Sequence, residues 1–360
     1  ETGIKANYVK NNNIVDYTRN NGEEWVNDFR SNHFIYEENI NAVYININKK
    51  LSEKWSAQAG LRAENTNTKG YQVTNDSAFK RHYTNLFPTA FVSYAVNKNN
   101  QLTLSYSRRV NRPNYQDLNP FIYFLDSLTY QKGNPYLLPQ FSHNIELSHS
   151  FKGKFITTLN YSRTTDVIAQ ILRQNTDEKT TFQTTENVSQ FRNIGLSVTA
   201  PFKWTPWFNT NVFVNLYNNQ YKGIYNGAPI NASNTAYMIN ITNSFTLAEG
   251  FSAELSGFYR SEGLSDLLMM NEMYQMTIGL QKNLMKGKST LRLNFRDPFG
   301  WQKFGGYVKY GDVDVTVKNR WDTRQVTASF TWRFGKNTIA PSRKRATGVS
   351  EEVNRAGQAN

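Results

Sequence analysis

Few groupings in this sequence have the residue types and spacing to do chemistry, and most of them point to binding. Arg62 with Glu64, and Arg292 with Arg296, lie an even number of residues apart, so each pair shares one face of an extended strand. On a watery inner face such charges bind solute, touch another domain of the protein, or stay hydrated. Arg112-Pro113 and Gly133-Asn134-Pro135 offer a cation and an amide to a ligand. The same residues can equally serve only to fold a loop, because Pro fixes φ, Gly permits positive φ and Asn caps turns. Between and beside them lie Tyr115, Phe121, Tyr123, Phe124, Tyr130 and Tyr136. Their rings stack either on a sugar or aromatic chelate, or on one another. His33, His82, His143 and His149 lack metal-ligand spacing, so no metal or cofactor is expected. A barrel lipase needs a Ser–His pair on its outer face. His149 lies on an apolar face among abundant Ser, but nothing marks a nucleophile, and phosphate-binding glycine loops are missing. The expectation is no enzyme.

The elements that must position these residues are strands. In Trp55–Thr66 the odd positions read Trp, Ala, Ala, Leu, Ala, and the even ones Ser, Gln, Gly, Arg, Glu, Thr. Period two places each set on its own face of a strand. The pattern recurs through Leu102–Ser107, Asn144–Phe151, Asn193–Ala200, Phe251–Arg260, Thr290–Arg296 and Gln325–Phe334. No stretch approaches the ~18 apolar residues of a membrane helix. The chain is nonetheless 14% aromatic with only 39% hydrophobic residues, which suits a wall with lipid on one side and water on the other.

Connections come in two lengths. Short turns are expected at Leu51–Lys54, Asn97–Asn100, Lys152–Lys154, Lys203–Pro206, Ala248–Gly250 and Met285–Lys288. Long polar connections are expected at Asn67–Asn85, Asn111–Gln140, Gln174–Thr180, Asn218–Thr235, Ser261–Glu272 and Asp297–Arg324. Alternating short turns and long loops mark an all-β, antiparallel transmembrane β-barrel segment of about fourteen strands, each near the 9–11 residues a tilted span requires. Trp55, Phe155, Trp207 and Phe251, beside the short turns, fit an interfacial girdle. A soluble sandwich also alternates, but charges such as Arg62, Glu146 and Glu254 on the polar faces fit a watery lumen better than a dry core. Residues 1–335 form the barrel segment, and 336–360 read as a flexible periplasmic tail without apolar periodicity.

The net charge of +13 is scattered, with one compact run at Arg343-Lys344-Arg345. It suits anionic lipid, lipopolysaccharide or anionic solutes, and nucleic acid is not an expected partner. No cysteine is present, which argues against a disulfide scaffold and thiol chemistry. No signal-peptide pattern opens the chain and a strand pattern starts at once, so it reads as a piece of a longer protein.

The segment Ser107-Arg108-Arg109-Val110-Asn111-Arg112-Pro113-Asn114-Tyr115-Gln116-Asp117-Leu118-Asn119-Pro120-Phe121, followed by Gly133-Asn134-Pro135-Tyr136-Leu137-Leu138-Pro139, resembles the signature of TonB-dependent-receptor barrels, in the branch called outer membrane protein beta-barrel family. Gly60–Gly70, Leu255–Tyr259 and Phe330–Gly335 carry further matching pieces, while Gln140 stands where the family usually has Glu. The resemblance implies a barrel of about 22 strands in a Gram-negative outer membrane, filled by an N-terminal plug that contacts TonB. This chain would supply the last strands, ending with Arg324–Phe334, and its free edge would leave the sheet open or incompletely closed. The implied function is energised uptake of a solute, of siderophore, glycan or peptide class. A passive porin-like channel or structural barrel without a plug is the alternative.

Overall fold

Face selection decides the architecture. Within Trp55–Gln72, Leu61 is 45% exposed whereas Glu64, on the opposite face, is 4% exposed. Apolar residues point outward and charges inward, the inverse of a soluble sheet. Such an arrangement is stable where the outside medium is hydrocarbon. The same outward band includes Val43, Ile45, Leu104, Ile145, Leu159, Leu196 and Leu216.

The computed structural model describes residues 1–175, 177, 179–225, 228–310, 313–334 and 350–355. Fourteen strands follow one another antiparallel in chain order. They are β1 (Thr2–Val15), β2 (Asn32–Lys50), β3 (Trp55–Gln72), β4 (Ser77–Asn97), β5 (Asn100–Asn111), β6 (Gln140–Phe151) and β7 (Phe155–Asn175), then β8 (Thr180–Thr205), β9 (Phe208–Tyr225), β10 (Ala228–Ala248), β11 (Phe251–Arg260), β12 (Met273–Leu284), β13 (Ser289–Arg296) and β14 (Gln325–Trp332). Nearest-neighbour order is what short, uncrossed connections give. Among the described residues β1 pairs only with β2 and β14 only with β13, so the sheet has two free edges. Every residue of β14 is exposed, and Phe334 lies beyond the strand. No helix among the described residues is long and apolar enough to cross a membrane, which says nothing of strands.

At the short-turn end an aromatic ladder runs along the sheet. Phe151, Phe155, Phe202, Trp204, Phe208 and Phe245 meet in succession, with centroid separations from 4.9 to 6.5 Å. Trp207 joins it against Phe208, and Trp55 stacks on Tyr94 at 4.4 Å. Of the rings expected for an interfacial girdle, Trp55, Phe155 and Trp207 take part in these contacts.

Two expected long loops are largely strand. β3 and β4 continue to a tight turn at Val73–Asp76, where Asp76 takes φ 53°, and β9 and β10 continue to Tyr225 and Ala228. Polar side chains support the extra length. Asn65 donates to Thr84 Oγ1 at 2.9 Å, Asn218 to Thr235 Oγ1 at 3.0 Å, and Gln220 to Asn231 Oδ1 at 2.9 Å. Such cross-strand bonds stabilise a sheet without the apolar alternation that marks a strand in a sequence.

Described parts of three other long connections, at 111–140, 261–272 and 297–324, fold inward, while Gln174–Thr180 falls partly outside the described residues. The segment 112–139 holds a short helix α1 (Tyr115–Leu118) and a hairpin, Ile122–Phe124 with Thr129–Lys132, whose second strand adds in parallel to β8. Hairpins within 263–270 and 304–319 join in a separate small sheet. Their Leu264, Leu267, Val308 and Val313 bury against Val167, Ile171, Val188, Tyr221 and Ile230. Most of the expected tail at 336–360 lies outside the described residues. The described part is a helix, α2 (Ser350–Arg355), with Glu352 and Arg355 buried.

Candidate functional site

The inner wall of β2 and β3 and the underside of the 112–139 segment build one site. Along β2, Phe34, Tyr36, Glu38, Ile40 and Ala42 occupy alternate positions and are all buried. Along β3 the facing set is Glu64, Thr66 and Thr68. β5 ends at Asn111, and Pro113 blocks its continuation by lacking an N–H. After extended Asn114, α1 turns Tyr115 and Leu118 onto Phe34 and Tyr36, with Leu137 beside them. Full burial of such side chains stabilises by about 1.5–3 kcal/mol each.

Charge then fixes the seat. Glu64 accepts from Arg62 Nε at 2.9 Å on one oxygen and from Arg112 Nη2 on the other. Arg112 Nη2 also reaches Thr66 Oγ1 at 3.4 Å. Nearer the Val73–Asp76 turn, at the level of Thr68, Glu38 receives the hydroxyls of Tyr36 and Tyr115, each at 3.3 Å. Tyr115 lies 5.6 Å from Tyr36, ring to ring, and its burial pushes the phenol up. Arg355 of α2 completes this group by bonding both oxygens of Glu38.

Asn134 organises the far side of the same segment. Its N–H donates to Asp117 O at 2.6 Å, its Nδ2 to Thr185 O at 3.1 Å, and its Oδ1 accepts from Tyr136 N at 3.0 Å. Gly133 approaches so closely that a Cβ would lie 1.9 Å from Asn119 O. Both residues thus hold the loop's fold. Tyr136 is 63% exposed, its ring 5.9 Å from Phe79 at the rim. Gln140 accepts from Ile168 N at 2.8 Å, so the amide that replaces the family's usual Glu makes a backbone contact.

Between the segment and the wall lies a cavity of ≈ 370 Å³, lined in part by Tyr17, Asp117, Tyr123, Lys132, Gln170 and Gln183. Gln131 donates to Gln183 at 3.0 Å, and Gln183 to Gln170 at 2.8 Å, forming an amide chain along one side. Burial raises the carboxyl of Asp117, against a hydrogen bond from Thr185 that lowers it. An amide-lined, aromatic-edged hollow can hold a polar solute by several directional bonds.

Of the residues singled out in the sequence, Arg62, Glu64, Arg112, Tyr115, Asn134 and Tyr136 belong to this region. Arg292 and Arg296 do not join it. They lie on β13 near the other edge of the sheet, where Arg292 donates to Gln281 at 2.7 Å and Arg296 to Gln302 at 3.5 Å. Glu38, Tyr36 and Arg355 were not anticipated. The signal for Glu38 was a carboxylate on the same face as Phe34, Tyr36 and Ile40.

The model of the outer membrane protein beta-barrel family matches residues 1–332. No curated protein sequence matches the chain. Among solved structures, the copper transporter OprC superposes with a TM-score of 0.63 at 10% identity, over 92% of this chain and 54% of its own. The ferric yersiniabactin uptake receptor FyuA from Yersinia pestis gives 0.61 at 11% identity, over 91% and 50%. The siderophore receptor PirA from Pseudomonas aeruginosa gives 0.53 at 12% identity, over 91% and 64%. At these identities the likeness bears on fold alone, and the chain spans between half and two thirds of each of those proteins.

Proposed function

The chain belongs to the outer membrane protein beta-barrel family, and from that premise we propose that it forms the wall and extracellular loops of a gated outer-membrane receptor for energised solute uptake. The observation that carries this reading is the inward-folded 112–139 segment, ion-paired to the wall through Arg112 and Glu64 and forming one side of the half-open ≈ 370 Å³ cavity. A loop locked on the inner face by a buried charge pair suits a receptor, because the loop both holds a ligand and narrows the path.

In this reading the solute, of siderophore, glycan or peptide class, meets the extracellular loops first. It is held beneath the 112–139 segment by amides, Asp117, Lys132 and tyrosine rings. Lipid and lipopolysaccharide surround the outward apolar band. An N-terminal plug, outside this chain, blocks the lumen, and TonB acts on the plug to release the solute inward. No residue of the site is assigned a role in bond chemistry. His149 Nε2 lies 2.9 Å from Asn100 Oδ1, near the short turn before β5.

The test is conductance of the full-length receptor in a planar bilayer. A closed, low-conductance state that opens only when the plug is removed supports the proposal. Steady conductance with every part of the receptor in place would leave a porin-like passive channel.

A further inference from the structure

We propose that the inner wall carries a guanidinium seat, made by Glu38, Tyr36, Tyr115 and the Pro113 carbonyl, and that the chain's own C-terminal segment fills it with Arg355. Filling the seat staples the 112–139 segment to the wall.

Three features of the seat select a guanidinium over any other cation. First, Glu38 is 2% exposed on the inner face of β2, and the two tyrosine hydroxyls at 3.3 Å give it only neutral, long hydrogen bonds. A buried carboxylate with such partners calls for a cation. Second, Arg355 meets it fork to fork, Nη1 on Oε2 and Nη2 on Oε1 at 3.1 Å, while Nε donates to Pro113 O at 3.2 Å. A lysine ammonium cannot place planar donors on a carboxylate and a carbonyl at once. Third, the guanidinium carbon stands 4.6 Å from the centre of the Tyr115 ring. That is cation–π range.

The seat also has a second anchor. Glu352, three residues before Arg355 and so on the same side of α2, accepts from Lys5 Nζ of β1 at 2.9 Å. Glu38 and Lys5 belong to the wall, whereas Pro113 and Tyr115 belong to the inward segment. Arg355 therefore joins two parts of the site across 317 residues of sequence separation from Glu38. The tail acts as a cis ligand that keeps the segment down.

Two measurements on the full-length membrane-embedded protein test this. A photo-cross-linking amino acid at exposed Val353 leaves Glu38 and Arg355 intact. Cross-links mapped to β1, β2 or residues 112–118 are expected, and cross-links found only elsewhere would overturn the proposal. Protease nicking of the 112–139 segment reads the staple itself. Arg355→Ala should speed nicking at least roughly tenfold, as loss of one partner of a buried pair implies. Arg355→Lys should restore little of the protection, and the exchange Glu38→Arg with Arg355→Glu should restore part of it. Nicking unchanged in Arg355→Ala, or fully restored by Lys, contradicts a guanidinium seat.

Discussion

Arg112, at the exit of β5, pairs with Glu64 in the middle of β3, and the two side chains are 2% and 4% exposed. Forty-eight residues separate them in the chain. Removing one partner strands the other charge in a dry place. Glu64→Gln should therefore destabilise the assembled protein by about 3–5 kcal/mol, read as a fall in the temperature at which the barrel loses its compact gel mobility. Replacing Glu64 and Arg112 together with leucines should recover most of that loss. A double variant no better than the single one would show that the pair acts through something other than mutual charge.

Gly133→Ala tests the loop's close approach. The added Cβ meets the backbone oxygen of Asn119, which cannot swing aside as a side chain can. Overpacking of this kind costs about 1–3 kcal/mol. The expected outcome is a barrel that still inserts but exposes 112–139 to protease and binds solute weakly. Wild-type protection would mean that the segment has slack the packing does not reveal.

How much of this was legible in the sequence follows from which side of the wall is being read. In Trp55–Thr66 the rule that apolar residues face outward holds, so Arg62 and Glu64 were correctly put on one inner face. In Phe34–Ala42 it inverts, because the 112–139 segment covers the inner side there and makes it apolar. Glu38 was hidden by that inversion. The pairing of Arg112 with Glu64 was beyond any spacing rule, since a loop delivers one partner. Asn67–Asn85 read as loop because its strands are held by amide and hydroxyl ladders, which hydropathy does not register. Arg292 and Arg296 share the right kind of face but sit on a distant strand.

Asp297 gives a pH prediction. Burial pulls its carboxyl upward, but the hydroxyl of Thr323 and the N–H groups of Gln302 at 3.0 Å and Trp301 at 2.9 Å donate to it, and the net result lies below the ordinary value of 3.8. A carboxyl lowered by folding contributes stability that is complete above its unfolded value and is lost as pH falls through the folded one. The 297–324 connection should thus loosen only below pH 3.8. Hydrogen exchange of the Trp301 and Gln302 amides at falling pH would show it. In Asp297→Ala, which removes both acceptor oxygens, the same amides should lose their protection at all pH values, without the acid step.

The two faces of β8 differ in what they tolerate. Leu196 is on the outward band and Ser197 on the inner face. Leu196→Arg should cost about 2–4 kcal/mol of insertion free energy if it lies near the midplane, seen as loss of folded protein in the membrane fraction. Ser197→Arg should insert normally. Equal tolerance at both positions would mean that the outward band does not meet lipid.

The most direct test of the receptor assignment is solute accumulation by cells that carry the full-length protein, measured with and without an energised inner membrane. Uptake that stops when the protonmotive force is collapsed, while binding at the cell surface persists, is the predicted result. Uptake that continues unchanged after collapse would contradict energised transport and leave a passive pore.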